Sequence, residues 1–258
     1  MAKLKYKDGE VWKDIAPSAE EFDRHLADYA SMEFGERPYN SKTNITYYLD
    51  EASGSDSNNG TSAGTAFATM EKVMSVTPIN IRHFIEVRLI GNYSGEIKIE
   101  NIKVYGAQGG FFTFIGDTGT PSNHEVQGAV IFENCFCAEN ASVSSNFRIR
   151  GFRANEQITV VGSVGISLDN IEPRKATTNS GISVAYSKIE VLDCDFGSGV
   201  VRDCILANYA SDVISENNTG SGTRRGLSAM RNSTVGKNNT QPTGAETNEY
   251  TFSGGVIR

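Results

Sequence analysis

The stretch "EVLDCDFGSGVVRDC" (residues 190–204) holds the densest group of side chains able to move protons. Cleaving a glycosidic bond takes two carboxyl groups, one to protonate the leaving oxygen and one to act as nucleophile or activate water, roughly 5 to 9 Å apart. On a single strand Asp193 and Asp195 would share a face about 7 Å apart. Glu190 would sit near the preceding turn, Arg202 and Asp203 would follow, and Glu216 would come one repeat later. A lyase would instead need a basic group to take a proton, often with calcium to acidify it. The same residues also have an ordinary structural use. Strand faces that meet water must be polar, Asp turns the chain at strand ends, and an exposed Asp–Arg pair carries little energy. Asp193, Asp195 and Glu216 are therefore the catalytic candidates if the chain is an enzyme at all, and the residue types favour binding over cleavage.

Recognition of a sugar asks for less: an aromatic face for the ring's C–H groups, and amides, carboxylates or guanidinium groups for its hydroxyls. Tyr186, Asn208, Tyr209, Asn217, Asn218, Arg224, Arg225 and Arg231 fall on adjacent repeats or their connecting turns, as one glycan-binding ledge would require. Alternatively the asparagines stack as ladders inside turns and both tyrosines fill the interior.

Other chemistries fail on spacing. In "GSDSNNGTSAGTAFATMEKVM" (residues 54–74), Asp56, Asn58 and Gly60 alternate as in a calcium loop, but the twelfth position is Phe67 in place of a bidentate glutamate. No GK[ST] follows the glycines to hold a phosphate. Cys135, Cys137, Cys194 and Cys204 form no CxxC pair and have no partnering histidine cluster, so they are expected to be buried thiols. A formal charge of -7 argues against binding nucleic acid, which needs a basic face. No apolar run approaches the roughly 20 residues that span a bilayer, and "MAKLKYKDGEVWKDI" lacks the apolar centre of a signal peptide. The expectation is a soluble chain made in a cytosol, with no metal, no cofactor and no membrane insertion.

The elements that must position these residues are short. With 26 Gly, only 6 Pro and a C-terminal two-thirds rich in Val, Ile and Phe, the chain favours many strands over long helices. Residues 1–15 predict a hairpin about Asp8-Gly9. Ser18 and Glu21 form a capping box for a helix with the apolar stripe Phe22, Leu26 (or His25), Tyr29 and Met32. Such a helix packs on its own chain or against copies of itself as a short three-stranded coil. Residues 33–45 read as a linker. The expected division is therefore 1–45 for attachment and oligomerisation, and 46–258 for the main body.

From about residue 84 pieces of four to eight residues such as "FIEVRLIG", "FFTFIG" and "QITVVG" follow one another, separated by Gly, Asn or Asp. Segments 205–219 and 226–240 align at an offset of 21, pairing Leu206 with Leu227 and Ile214 with Val235, and "SLDNI" recurs 24 residues on as "VLDCD". A period of 20 to 25 residues in β-rich sequence marks a solenoid, in which no turn can bury its apolar side without a neighbour. Leucine-rich repeats need several leucines per unit, which are lacking here. Roughly seven or eight stacked turns should fill residues 84–258. Phe67, Met70 and Met74, at helical spacing, would form a capping helix near 66–75 over the open end.

"YLD" followed by the Gly/Ser/Asp/Asn loop and this helix resembles the start of right-handed parallel β-helix proteins of the pectate-lyase-like class. "MAKLKYKDGEVWKDIAPSAEEFDRHLADY" resembles the start of tail fibre and minor structural proteins of phages and prophages of Gram-positive bacteria, and residues from 181 to 244 are similar to the C-terminal part of β-helical phage tail proteins. The resemblance covers well over half of the chain. It implies an all-β fold, a right-handed parallel β-helix with a short N-terminal hairpin and helix. It also implies a tail fibre or tailspike-like protein of the virion, made in the bacterial host's cytoplasm, homotrimeric and attached to other tail or baseplate proteins. Such proteins contact host cell-surface glycan, which they either cleave as depolymerases or merely grip; a non-binding spacer of the tail is the third possibility.

Overall fold

The structure, a computed structural model, describes residues 5–8, 11–14, 37–106, 109–137, 146–174 and 179–258. Strands Lys5–Asp8 and Val11–Asp14 pair antiparallel, Lys5 opposite Asp14 and Asp8 opposite Val11. The helix expected from Ser18 to Met32, and most of the linker before Arg37, lie outside the described residues.

The rest is a parallel β-solenoid of about seven turns, which fits a right-handed β-helix. A long sheet stacks Ile45–Leu49, Phe84–Leu89, Phe111–Ile115, Phe147–Arg150, Val164–Asp169, Lys188–Leu192, Asp212–Glu216, Thr234–Asn238 and Val256–Ile257 in that order. A second sheet stacks Ile97–Glu100, Val130–Glu133, Ile158–Val161, Ile182–Ala185, Asp195–Asn208, Thr219–Met230 and Thr247–Phe252. A short third sheet holds Glu125–Val126, Arg153–Ala154 and Glu172–Pro173. All of these pairings are parallel.

Period-two alternation puts every other side chain inside. Strands 97–100, 130–133, 147–150, 158–161 and 182–185 all alternate buried with half-buried positions. Stacking then aligns the buried residues of successive turns: Ile85, Phe112, Phe147, Ile166, Ile189, Val213 and Val235 make one column, and Ile97, Val130, Ile158, Ile182, Ile205 and Leu227 face it.

The repeats are present, but shifted by one residue from the alignment of identical letters. Leu227 pairs with Ile205, not Leu206, and Val235 with Val213, not Ile214, an offset of 22 in place of 21. Likewise Leu168 pairs with Val191 and Asp169 with Leu192, an offset of 23 in place of 24. A slip of one residue moves a strand's whole apolar set to the outer face, so burial overrides letter identity. Leu206 is only half-buried on the outside, while Ile205 is fully buried.

The loop at 54–69 serves the cap. Helix Met70–Val76 buries Met70 and Val73 and leaves Met74 half-buried; Phe67 is buried too, but it sits ahead of the helix in a β-bridge with Leu49 and not within it as its spacing suggests, because Thr69 caps the helix after it. Asp56 is the anchor: its carboxylate accepts from Ala68 N and Thr69 N, each at 3.0 Å, and from Thr69 Oγ1 at 2.7 Å, while Thr69 Oγ1 in turn accepts from Lys72 N at 3.1 Å. Gly60 has φ 69°, and a Cβ there would lie 2.0 Å from the Phe67 ring. Gly60→Ala is therefore expected to combine left-handed strain with displacement of the plug, costing about 2 kcal/mol or more. The check is thermal unfolding followed by circular dichroism; an unchanged midpoint would refute the cap's dependence on this contact.

Candidate functional site

Each turn crosses from the second sheet to the long sheet through a corner, and the first corner residue is left-handed in seven successive turns. These are Asn101, Asn134, Gly162, Tyr186, Tyr209, Arg231 and Ser253, with φ between 50° and 60°. Asn and Gly adopt this conformation readily; for a bulky side chain it costs roughly 1–2 kcal/mol.

A buried serine follows the corner in four consecutive turns. Cys135 N donates to Ser163 Oγ, Ser163 N to Ser187 Oγ, Ser187 N to Ser211 Oγ and Ser211 N to Ser233 Oγ, at 3.0–3.3 Å. The hydroxyls of Ser163, Ser187 and Ser211 donate in turn to the carbonyls of Val161, Ala185 and Asn208. Each hydroxyl thus satisfies an amide that the corner would otherwise orphan, which holds the corner rigid beneath the outward side chains.

Those side chains form a stack. The rings of Tyr186 and Tyr209 lie 5.2 Å apart at 15°, and the Arg231 guanidinium carbon sits 4.6 Å over the Tyr209 ring. Asn208 Oδ1 accepts from Arg231 Nη1 and from Tyr209 N, both at 3.1 Å, which keeps the guanidinium flat on the ring. Both tyrosines are exposed, Tyr186 at 63%. Neither fills the solenoid interior.

Of the eight residues expected on one ledge, the fold brings together Tyr186, Asn208, Tyr209 and Arg231. Asn217 and Asn218 belong to the opposite corner, at the end of the long-sheet strand Asp212–Glu216. Asn218 is fully buried, accepting from Cys194 N and donating to Val191 O and Ser215 Oγ, so it is internal support. Arg224 and Arg225 lie within strand Thr219–Met230. Arg224 pairs with Glu246, while Arg225 stacks on Tyr250 at 3.4 Å and faces the fully buried Asp203 at 3.9 Å.

The acid pair is not assembled as expected. Asp193 is itself a left-handed corner residue, φ 52°, between strands Lys188–Leu192 and Asp195–Asn208, so it and Asp195 do not share a strand face. Asp195 ends an alternating ladder of charges on the short sheet: Glu125, Arg153, Glu172, Arg174 and Asp195, linked by contacts of 2.7–3.2 Å. Burial alone would raise the Asp195 carboxyl, but hydrogen bonds from Gly197 N, Arg174 and Thr219 outweigh it and hold the group below the usual range. A carboxylate held ionised is a poor proton donor. Glu216 accepts from Asn239 Nδ2 at 3.2 Å.

The carboxyl that sequence reasoning missed is Asp169, raised by burial and by the neighbouring Asp193 charge despite its 3.1 Å contact with Arg150. The repeat of "SLDNI" as "VLDCD" sets Asp169 one turn from Asp193, but its burial arises only when turns stack. The two carboxyls give opposite pH dependences. Asp195, with a lowered folded value, contributes stability that is present above the unfolded value of about 3.9 and lost as pH falls through the folded one. Asp169, with a raised folded value, loses stability as pH rises from about 4 through it. With half of its side chain in water, Asp195 contributes less than about 1 kcal/mol. The stability difference between Asp195→Asn and the native chain, read by denaturant midpoints, is expected to shrink towards zero as pH is taken down to about 3. A gap independent of pH would show that the ladder owes nothing to ionisation.

The four cysteines are free and buried. Burial pushes the Cys135 thiol up to about 11 and the Cys194 thiol up to about 12, and raises that of Cys204 too, so these three are poor nucleophiles. Among the described residues no group of three or more His, Cys, Asp or Glu is arranged to hold a metal ion. Comparison with protein-family models, with curated proteins and with solved structures returned no match to this chain.

Proposed function

We propose that this protein is a tail structural component of a phage or prophage that contacts the host cell surface and grips envelope glycan without cleaving it. The observation that carries the reading is the placement of Tyr186, Tyr209 and Arg231 in left-handed backbone, at the corner where turns before them use Asn101, Asn134 and Gly162. Strain retained for exposed aromatic rings is strain that folding does not require, which marks a surface kept for contact. Aromatic rings, a fixed guanidinium and an amide oxygen are the groups that sugars meet. The expected pair of carboxyls is not formed, with Asp193 at a left-handed corner and Asp195 engaged by Arg174, which supports binding over hydrolysis.

The protein then acts in the virion tail after synthesis in the host cytoplasm, as a homotrimer joined to other tail or baseplate proteins. Co-sedimentation with purified peptidoglycan, teichoic acid and capsule is expected to show retention on at least one, with no new reducing ends and no unsaturated-uronate absorbance. Release of reducing ends would replace gripping by depolymerisation. A monomer in light scattering that binds none of the three would remove the reading.

A further inference from the structure

The aromatic stack stops abruptly at one end. One face of the Tyr209 ring meets Tyr186 and the other meets Arg231, whereas the second face of Tyr186 looks along the corner towards Gly162, which has no side chain. The next corner residue, Asn134, leans into this position: its Oδ1 lies 2.9 Å from where a Cβ of Gly162 would stand. Asn134 and Tyr186 are two turns apart, about 9.6 Å at the usual strand spacing, which leaves room for one ring in contact with both. Beside the gap the outward residues of the second sheet are Val161 and Ala185, small and apolar. At its far end Glu133 and Glu100 share the Lys98 ammonium, at 3.6 and 2.7 Å, and the Arg37 guanidinium lies against Glu100, so the carboxylates there are acceptors whose charge is balanced.

We infer that the Gly162 position is a stacking subsite for one pyranose ring, with its C–H face on Tyr186 and its hydroxyl or amide N–H groups directed at Asn134 Oδ1. The inference rests on the glycan-gripping function proposed above and narrows it: the groups at this end, Asn134 Oδ1 and the Glu133 carboxylate, are acceptors, which meet the hydroxyl and amide N–H donors of a neutral hexose or N-acetylhexosamine and offer nothing to the carboxylate of a uronate.

The test is to fill the gap. Asn is already tolerated in this conformation at Asn101 and Asn134, and the group a new Cβ meets is the end of a flexible side chain, so Gly162→Asn should fold; circular dichroism confirms it. Binding isotherms with the envelope polymer retained by the native protein are expected to weaken at least about tenfold in Gly162→Asn, as in Tyr186→Ala. Methyl glucoside or methyl N-acetylglucosaminide should compete for the polymer more strongly than methyl glucuronide. Native affinity in Gly162→Asn beside loss in Tyr186→Ala would overturn the subsite while leaving glycan gripping intact. Equal competition by the glucuronide would overturn the neutral-sugar assignment. No retention of any polymer by the native protein would overturn both the subsite and the function on which it rests.

Discussion

A Tyr186→Asn, Tyr209→Asn double variant is expected to keep near-native stability while losing envelope binding by about 30-fold or more for each ring, the effect of deleting an aromatic hot spot. The two quantities separate because the tyrosines sit where the backbone does not favour them. Relief of left-handed strain returns roughly 1–2 kcal/mol per residue. Against this stand the lost ring stack, about 0.5–1.5 kcal/mol, and the lost contact of Arg231 with Tyr209, about 0.5–1 kcal/mol. For the two residues together the strain relief of about 2–4 kcal/mol exceeds these losses by about 1 kcal/mol, so the melting midpoint should hold or rise by a few degrees. Thermal unfolding and co-sedimentation with peptidoglycan, teichoic acid and capsule read the two sides separately. Were the rings structural, stability would fall along with binding, or binding would persist.

Phe114→Ala should do the reverse, destabilising the solenoid by about 3–5 kcal/mol without touching the corner. Phe114 is fully buried, stacked between Val87 and Ile149 in the turns on either side, with its ring 5.7 Å from that of Phe152 in an edge-to-face arrangement. Removing it opens a cavity that three turns line, and a rigid stack of parallel strands has little freedom to close it. In a chain of this size the midpoint should fall by roughly 10 °C. Because each turn contacts only its neighbours, faster amide exchange should concentrate between about residues 84 and 150. Phe84→Ala, at a side chain 36% exposed and stacked on Phe111 at 5.4 Å, is the surface control and should cost far less. A small shift for Phe114→Ala would mean that the interior is not the continuous close-packed column described.

The strands, the stacking and the capping helix were legible because they follow from period-two burial and from repetition, both properties of residue order. The helix covers the end with Met70, but Phe67 does so from a β-bridge with Leu49 ahead of the helix and Met74 is only half-buried, so the helical spacing of the three misplaced Phe67. Register was not legible from matching letters: Leu206 and Leu227 are alike, but Ile205 lies under Leu227. A different signal was available and overlooked, since Ser163, Ser187, Ser211 and Ser233 recur at 24, 24 and 22 residues and mark the true corner.

Sequence by itself therefore determined what kind of object this is. Alternation and a period of 20 to 25 residues leave apolar edges that only stacking can bury, and that requirement holds whatever the fine geometry. Which polar residues meet was decided by tertiary structure alone. Neighbours on the surface of a solenoid are separated by a whole turn of chain, and one residue more or less in a corner sends a side chain to a different face. The corners thus placed Tyr186 beside Tyr209 and Arg231, sent Asn218 inside, and turned Asp193 away from Asp195, whose carboxylate Arg174 then claimed.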